Sequence, residues 1–264
     1  MTTQFTVTAS SAADQAGDVA QVIASLPVSL HQASAEADLV GIIGGYGWVE
    51  AAKHAIASGA RGVLIVDPVA VDVVTLIKQA DAAGVPVVID ATWTDNPAVL
   101  TSASAFAEHH GTDSFLEARV NVLLGSDIER VLLNQLSLVR TVVGPIRRLR
   151  FARNNSRGYD ARADLVSGAS ASLSAILSNS VPVSATLRML LPETSVEVEL
   201  PSPVSAAPGS AIVSGPEGAM ALPTQWETSH RAAWRRLHRL VDAGEMSHDL
   251  AGFARDVAVV RTAR

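Results

Sequence analysis

No cysteine occurs among the 264 residues, which excludes disulfides, thiolate metal sites and cysteine nucleophiles. Aromatic residues are scarce, at 4%, which suits tight helix-on-sheet packing better than an aromatic-lined ligand cage. Charge is thin too: Asp, Glu, Lys and Arg make up 17%, against roughly 25% in an average soluble protein. The net charge of −6 leaves no electrostatic footprint for nucleic acid or an anionic membrane. Two arginine groups stand out, Arg147, Arg148, Arg150 and Arg153, then Arg231, Arg235, Arg236 and Arg239. Each reads as the solvated side of an element rather than a phosphate patch. The longest apolar run, Leu39 to Val49, is interrupted by four glycines and falls short of the roughly 20 residues that span a bilayer. Met1 to Val7 lacks the basic and apolar regions of a signal peptide. The expectation is a cytoplasmic protein with no membrane partner, no nucleic-acid partner and no metal site.

What is present is alternation. Phe5–Ala9 reads as a strand, and Val19, Val22, Ile23 and Leu26 fall at helical spacing after Asp14. Val28–Gln32 is a second short strand. Leu39–Ile43 is continuously apolar, as strands buried on both faces of a parallel sheet are. Gly44-Gly45-Tyr46-Gly47 breaks that run, and a helix over Glu50–Ser58 is closed by Gly59. Gly62–Val66, a helix over Val71–Ala83 closed by Gly84, and Val85–Asp90 repeat the pattern. This predicts an α/β fold with a truncated Rossmann-like parallel sheet over residues 1–97. Beyond Pro97 the pattern changes. Helices are expected over Leu100–Glu108, Asp127–Leu138 and Ala163–Leu177, with strands over Phe115–Leu123 and Ile146–Ala152. Strands at Val183–Leu190, Ser195–Leu200 and Ala211–Ser214 follow, separated by Pro and Gly turns, and helices end the chain at Thr228–Leu240 and Asp249–Val260. Residues 98–264 therefore read as an α+β half with a mainly antiparallel sheet.

In order, these stretches resemble the Gfo/Idh/MocA family of NAD(P)-dependent sugar and polyol dehydrogenases. Ser58-Gly59-Ala60-Arg61-Gly62-Val63-Leu64-Ile65-Val66-Asp67-Pro68 is similar to the family's Gly-containing approach to a Glu-Lys-Pro motif. Ala83-Gly84-Val85-Pro86-Val87-Val88 resembles the strand that follows it. Gly144-Pro145-Ile146-Arg147-Arg148-Leu149 resembles the family's entry to its next strand, and Gly168 to Leu177 falls where the family carries an Asp-x-Gly-x-His motif.

The departures fall on the family's functional positions. Ser10-Ser11-Ala12-Ala13-Asp14-Gln15 follows the first strand, with none of the glycines that let a backbone approach a pyrophosphate. Val28–Gln32 ends without the acidic residue that would hold the adenosine ribose. Only 38 residues precede Leu39, so about one βα unit is missing. By the resemblance, Asp67 stands where the family has its positioning lysine, Val166 at the orienting carboxylate and Ser170 at the general base. A serine without a partner is no base near neutral pH. The resemblance thus implies a pseudoenzyme: an oxidoreductase-family protein that has lost NAD(P) binding and dehydrogenase chemistry, serving as a scaffold or as the partner subunit of an active paralogue. The alternative is an active sugar or polyol oxidoreductase with a remodelled site, using NAD or NADP.

Three further groups are candidates. Gly44, Gly45 and Gly47, between a buried strand and a helix, form either an anion loop or a plain tight turn. Asp90, Trp93 and Asp95 follow the C-terminal end of a parallel strand, where open α/β sheets bind ligands, and Asn154 lies in a polar stretch able to join them in a residual pocket. His230, Arg231 and Trp234, with His238 two turns on, read as a solvated helix with one packed tryptophan or as a partner-facing surface. Val196, Val198 and Leu200 alternate with Glu193, Glu197 and Glu199. An apolar sheet face with too few helices to cover it predicts a homo-oligomer built through the antiparallel sheet.

Overall fold

The computed structural model describes residues 3–33, 36–205 and 207–263. The chain begins β1 (Phe5–Ala9), α1 (Ser11–Gly17), α2 (Val19–Ser25), β2 (Leu30–Gln32), β3 (Leu39–Ile43), α3 (Trp48–Ala57), β4 (Gly62–Val66), α4 (Val74–Ala83) and β5 (Val87–Asp90). It continues with α5 (Pro97–His109), β6 (Phe115–Val122), α6 (Ile128–Val143), β7 (Ile146–Asn155), β8 (Gly158–Leu165), β9 (Ser170–Leu177), β10 (Ser184–Leu190), β11 (Ser195–Leu200), β12 (Ser210–Gly215) and β13 (Gly218–Ala221). Two helices, α7 (Ser229–Ala243) and α8 (Asp249–Thr262), end it. Two compact units form. One is residues 1–92 with 229–254, the other 93–228 with 255–264. The expected division near residue 97 differs from this, because α7 and the start of α8 belong with the first unit.

The first unit is a five-stranded parallel sheet in the order β2-β1-β3-β4-β5. That is the doubly wound order 3-2-1-4-5-6 with its outermost strand removed. The cause is visible in the chain: only residues 33–38 join β2 to β3, with no helix among those described. β4 is buried at every position, as its unbroken apolar run requires. On one face α7 sets Trp234, Leu237, Leu240 and Val241 against Phe5, Val7, Leu39 and Leu64. Two strand glycines make room for it. A Cβ on Gly41 would meet the Trp234 ring at 3.1 Å, and one on Gly62 would meet Val241 at 2.8 Å and Leu237 at 2.9 Å.

The second unit is an eight-stranded sheet in the order β13-β12-β11-β10-β6-β9-β8-β7, antiparallel except where β6 pairs with β9. Helices α5 and α6 pack on its apolar face, where Leu116, Ala118, Val120, Leu173, Leu187, Val196, Val198 and Leu200 are all buried. The uncovered apolar face expected from the sequence does not exist; the face left open is polar. A second correction concerns Ala163–Leu177, expected to be a helix. It forms the end of β8, a turn at Gly168 (φ +95°) and β9. Its Ser-Ala alternation has a period of two, matching a strand with small residues on the buried side. Beneath the sheet the buried Gln135 of α6 donates to the carbonyls of Ala118 at 2.9 Å and Ser174 at 3.1 Å, and accepts from the Tyr159 hydroxyl at 2.6 Å.

Candidate functional site

The chemistry-bearing residues of the first unit gather at the C-terminal edge of its parallel sheet, where open α/β sheets bind ligands. After β1, the Ser10 hydroxyl accepts from the Ala13 amide at 3.2 Å and caps α1 itself. Asp18 then takes a left-handed conformation (φ 48°) and breaks the helix, and Asp14 accepts from the Ala20 amide at 2.7 Å. The Ser10 hydroxyl thus already occupies an amide of the helix start that ordinarily receives a pyrophosphate, and the Asp14 carboxylate caps the start of α2.

Of the three loop glycines, Gly44 is structural. A Cβ there would lie 2.2 Å from the Pro68 Cα and 2.5 Å from its nitrogen. That contact is fixed by two backbone bonds, Gly44 N–H to Val66 O and Val69 N–H to Gly44 O, each 2.7 Å. Gly45 and Gly47 have nothing within 4 Å of an added Cβ, and Gly47 (φ +83°) begins α3 without a side-chain cap. Beside them stand Asp67 (φ 48°) at the end of β4 and the fully exposed Tyr46.

Asp90 ends β5 and is buried. Its Oδ2 lies 2.6 Å from Nδ1 of His230, the second residue of α7, itself buried. Burial alone would push the imidazole down. The carboxylates of Asp90, Asp18 and Asp67 outweigh it and raise the His230 pKa above the ordinary histidine value. The other Asp90 oxygen and the neighbouring buried Ser229 hydroxyl have no hydrogen-bond partner among the described residues. Sequence reading singled out Asp90 and His230 but did not join them, since 140 residues lie between. It also took the α7 face as solvated apart from one packed tryptophan; Trp234 is buried as expected, but His230 and His238 are buried as well. An aspartate closing a buried strand was the one available signal.

A trough of about 510 Å³ opens on the other face of this sheet. Its walls are Thr8, Val40 and Ile42 of the strands and Ala51, His54 and Ala55 of α3, with Glu36 on the short β2–β3 connection. It reaches Ser10 at the C-terminal edge. A crossover helix would lie here in a full doubly wound sheet, and its absence leaves the trough open.

The remaining expected site residues lie in the second unit. Trp93 is a core residue whose indole donates to the Pro201 carbonyl at 3.0 Å. Asp95 is buried ahead of Asn96, the cap of α5. Asn154 is exposed on β7, opposite Tyr159. Val166 lies in the β8–β9 turn and Ser170 opens β9, both exposed. The helix expected over Ala163–Leu177 is replaced here by a hairpin of β8 and β9. Elsewhere in this unit Arg140 donates to Asp256 at 3.0 Å, and burial raises the Asp256 pKa to about 6 against the opposing pull of Arg140.

No protein-family model and no curated protein matches the sequence. Solved structures do. An oxidoreductase from Agrobacterium radiobacter, in complex with NAD+, L-tartaric acid and magnesium, superposes with a TM-score of 0.75 at 10% identity, covering 99% of this chain and 95% of that one. The UDP-N-acetylglucosamine 3-dehydrogenase GnnA of Acidithiobacillus ferrooxidans gives 0.77 at 15% identity, with 99% and 97% covered. The 3-ketoreductase KijD10 of Actinomadura kijaniata, in complex with NADP and TDP-benzene, gives 0.67 at 14%, with 98% and 89% covered. The chain has the fold of these oxidoreductases. This overturns the expectation of no cofactor: solved structures of this fold hold NAD+ or NADP. Among the described residues no helix is long and apolar enough to cross a membrane.

Proposed function

We propose that this chain is an oxidoreductase-fold protein that holds a nicotinamide nucleotide at the C-terminal edge of its parallel sheet and serves as a scaffold or partner subunit without oxidising sugars. The trough carries the reading. Its volume falls within the roughly 300–1,000 Å³ of small-molecule pockets, and it begins at the edge where nucleotides bind in this class of sheet. The turn after β1 does not fit a pyrophosphate, because it lacks glycine and Ser10 already caps α1. The open backbone at Gly45 and Gly47 does fit one, and the raised pKa of His230 favours a positive charge that offsets part of the carboxylate charge nearby. The nucleoside end would lie along Val40, Ile42 and Ala51. The bound nucleotide would supply hydride chemistry, but the positions that resemble the family's proton-transfer set, Asp67, Val166 and Ser170, offer neither its lysine nor its histidine.

Calorimetric titration with the oxidised and reduced forms of both nucleotides tests the first half. Micromolar binding of at least one is expected, weakened tenfold or more by Ala51→Trp, which fills the trough from an exposed helix position. Absence of binding by all four would overturn it. A panel of inositols, aldoses and sugar acids, followed by nicotinamide absorbance, tests the second half. Turnover above a heat-killed control would promote the active-oxidoreductase alternative.

A further inference from the structure

We propose that the nicotinamide end of the bound nucleotide lies against Asp18, Asp67, Asp90 and Ser229, and that these residues select the oxidised, cationic ring over the reduced, neutral one. The inference deepens the nucleotide reading above and rests on it.

The order of the strands gives the direction. The trough lies against β1 and β3, the glycine loop of residues 44–47 follows β3, Asp67 follows β4 and Asp90 ends β5. Neighbouring strands stand about 4.8 Å apart, so Asp90 lies about 10 Å along the sheet edge from the end of β3, on the side away from the trough. A dinucleotide with its adenosine in the trough and its pyrophosphate at the glycine loop turns its other end toward Asp67 and Asp90.

Three carboxylates meet there. The Asp67 amide donates to the Asp90 carbonyl at 3.1 Å, which sets the two residues side by side. A Cβ on Gly17 would lie 3.3 Å from the Val66 side chain and 3.8 Å from Asp90 Oδ2, so the turn that carries Asp18 sits over the ends of β4 and β5. All three carboxylates act on one imidazole, His230, and together they overcome the burial that disfavours its charge. A ring that carries a positive charge is favoured beside them, and more so where water is excluded, because Coulomb energies grow as the effective dielectric falls. The oxidised nicotinamide is a pyridinium cation and the reduced ring is neutral. The two forms are otherwise alike, so their difference in affinity reports the charge around the ring.

The cluster is also incomplete by itself. Asp90 and Ser229 are each 1% exposed, yet Asp90 Oδ1 and the Ser229 hydroxyl have no hydrogen-bond partner among the described residues. Buried polar groups are ordinarily paired. His230 engages Oδ2 of Asp90, so Oδ1 is the oxygen left for a ligand. The nicotinamide carboxamide has the two functions that these atoms lack. Its NH2 group donates, as Asp90 Oδ1 requires, and its carbonyl accepts, as the Ser229 hydroxyl requires.

The test is calorimetric titration of the full chain with the oxidised and reduced forms of both nucleotides and with ADP-ribose, with and without a 2′-phosphate. ADP-ribose keeps the adenosine and the pyrophosphate and lacks the nicotinamide. The oxidised form is expected to bind about tenfold or more tightly than the reduced form. Asp18→Asn with Asp67→Asn removes two charges at positions of φ 48°, where asparagine tolerates the left-handed backbone. That variant is expected to lower the preference about threefold or more without weakening ADP-ribose. Ser229→Ala is expected to weaken both nucleotide forms by a similar factor and to leave ADP-ribose within about twofold. A double variant that misfolds by circular dichroism is replaced by Asp18→Asn alone, read the same way. Equal affinities, a tighter reduced form, or a preference that the charge variants leave unchanged would overturn the inference while ADP-ribose binding upholds the nucleotide site. Absence of binding by every one of these ligands would overturn the nucleotide reading and the inference with it.

Discussion

Replacing Gly44 by alanine isolates the contact that ties the loop after β3 to the loop after β4. The added Cβ would stand 2.2 Å from the Pro68 Cα, 2.5 Å from its nitrogen and 2.8 Å from the Asp67 carbonyl carbon. All three atoms are backbone, so no rotamer change relieves the overlap, and an ordinary contact needs a displacement of about 1 Å or more. The displacement weakens the two 2.7 Å bonds that Gly44 makes with Val66 and Val69. Each is worth about 1 kcal/mol net, and overpacking adds about 1–3 kcal/mol. The sum is about 3–5 kcal/mol, which lowers the melting temperature by roughly 6–20 °C in a chain of this size. Gly45→Ala is the internal control: nothing lies within 4 Å of its Cβ and its φ is not positive, so its stability should stay within about 0.5 kcal/mol. Thermal unfolding by near-ultraviolet circular dichroism compares the two. Equal melting temperatures for Gly44→Ala and Gly45→Ala would refute the steric reasoning.

Three further outcomes are expected. His230 has a raised pKa in the folded state, so the stability it contributes is fully present below the unfolded value near 6.5 and is lost as pH rises through the folded value; urea titrations from pH 5 to 9 should show this decline in the natural protein and not in His230→Gln. Asp256 acts in the same direction over a lower window: its pKa of about 6 lies above the ordinary aspartate value of 3.8, so stability should fall by about 3 kcal/mol between pH 4 and 6, and Asp256→Asn should flatten that slope. Tyr159→Phe leaves the buried Gln135 carbonyl oxygen without its 2.6 Å donor and should cost about 1–3 kcal/mol in denaturant unfolding, whereas Tyr46→Phe, on a fully exposed ring, should cost nothing measurable.

The sequence by itself determined the parallel half of this protein. Continuous apolar runs at Leu39–Ile43 and Gly62–Val66 can only be strands covered on both faces, and the glycines that stop the intervening helices place the turns within a residue or two. The short stretch between Gln32 and Leu39 likewise leaves no room for a further βα unit between β2 and β3. Local pattern failed where two periods compete. Ala163–Leu177, rich in Ala and Ser, satisfies a helix and a strand alike, and pairing of β9 with both β6 and β8 decided for the strand. Only tertiary structure joined Asp90 to His230, because α7 returns to the first sheet after the whole second unit has been built. Only it showed which face of the eight-stranded sheet is open: alternation marks an apolar side, but whether helices cover that side depends on where α5 and α6 pack. Sequence periodicity reports the environment of each side chain along its own element, and a site made from elements far apart in the chain has no period to report.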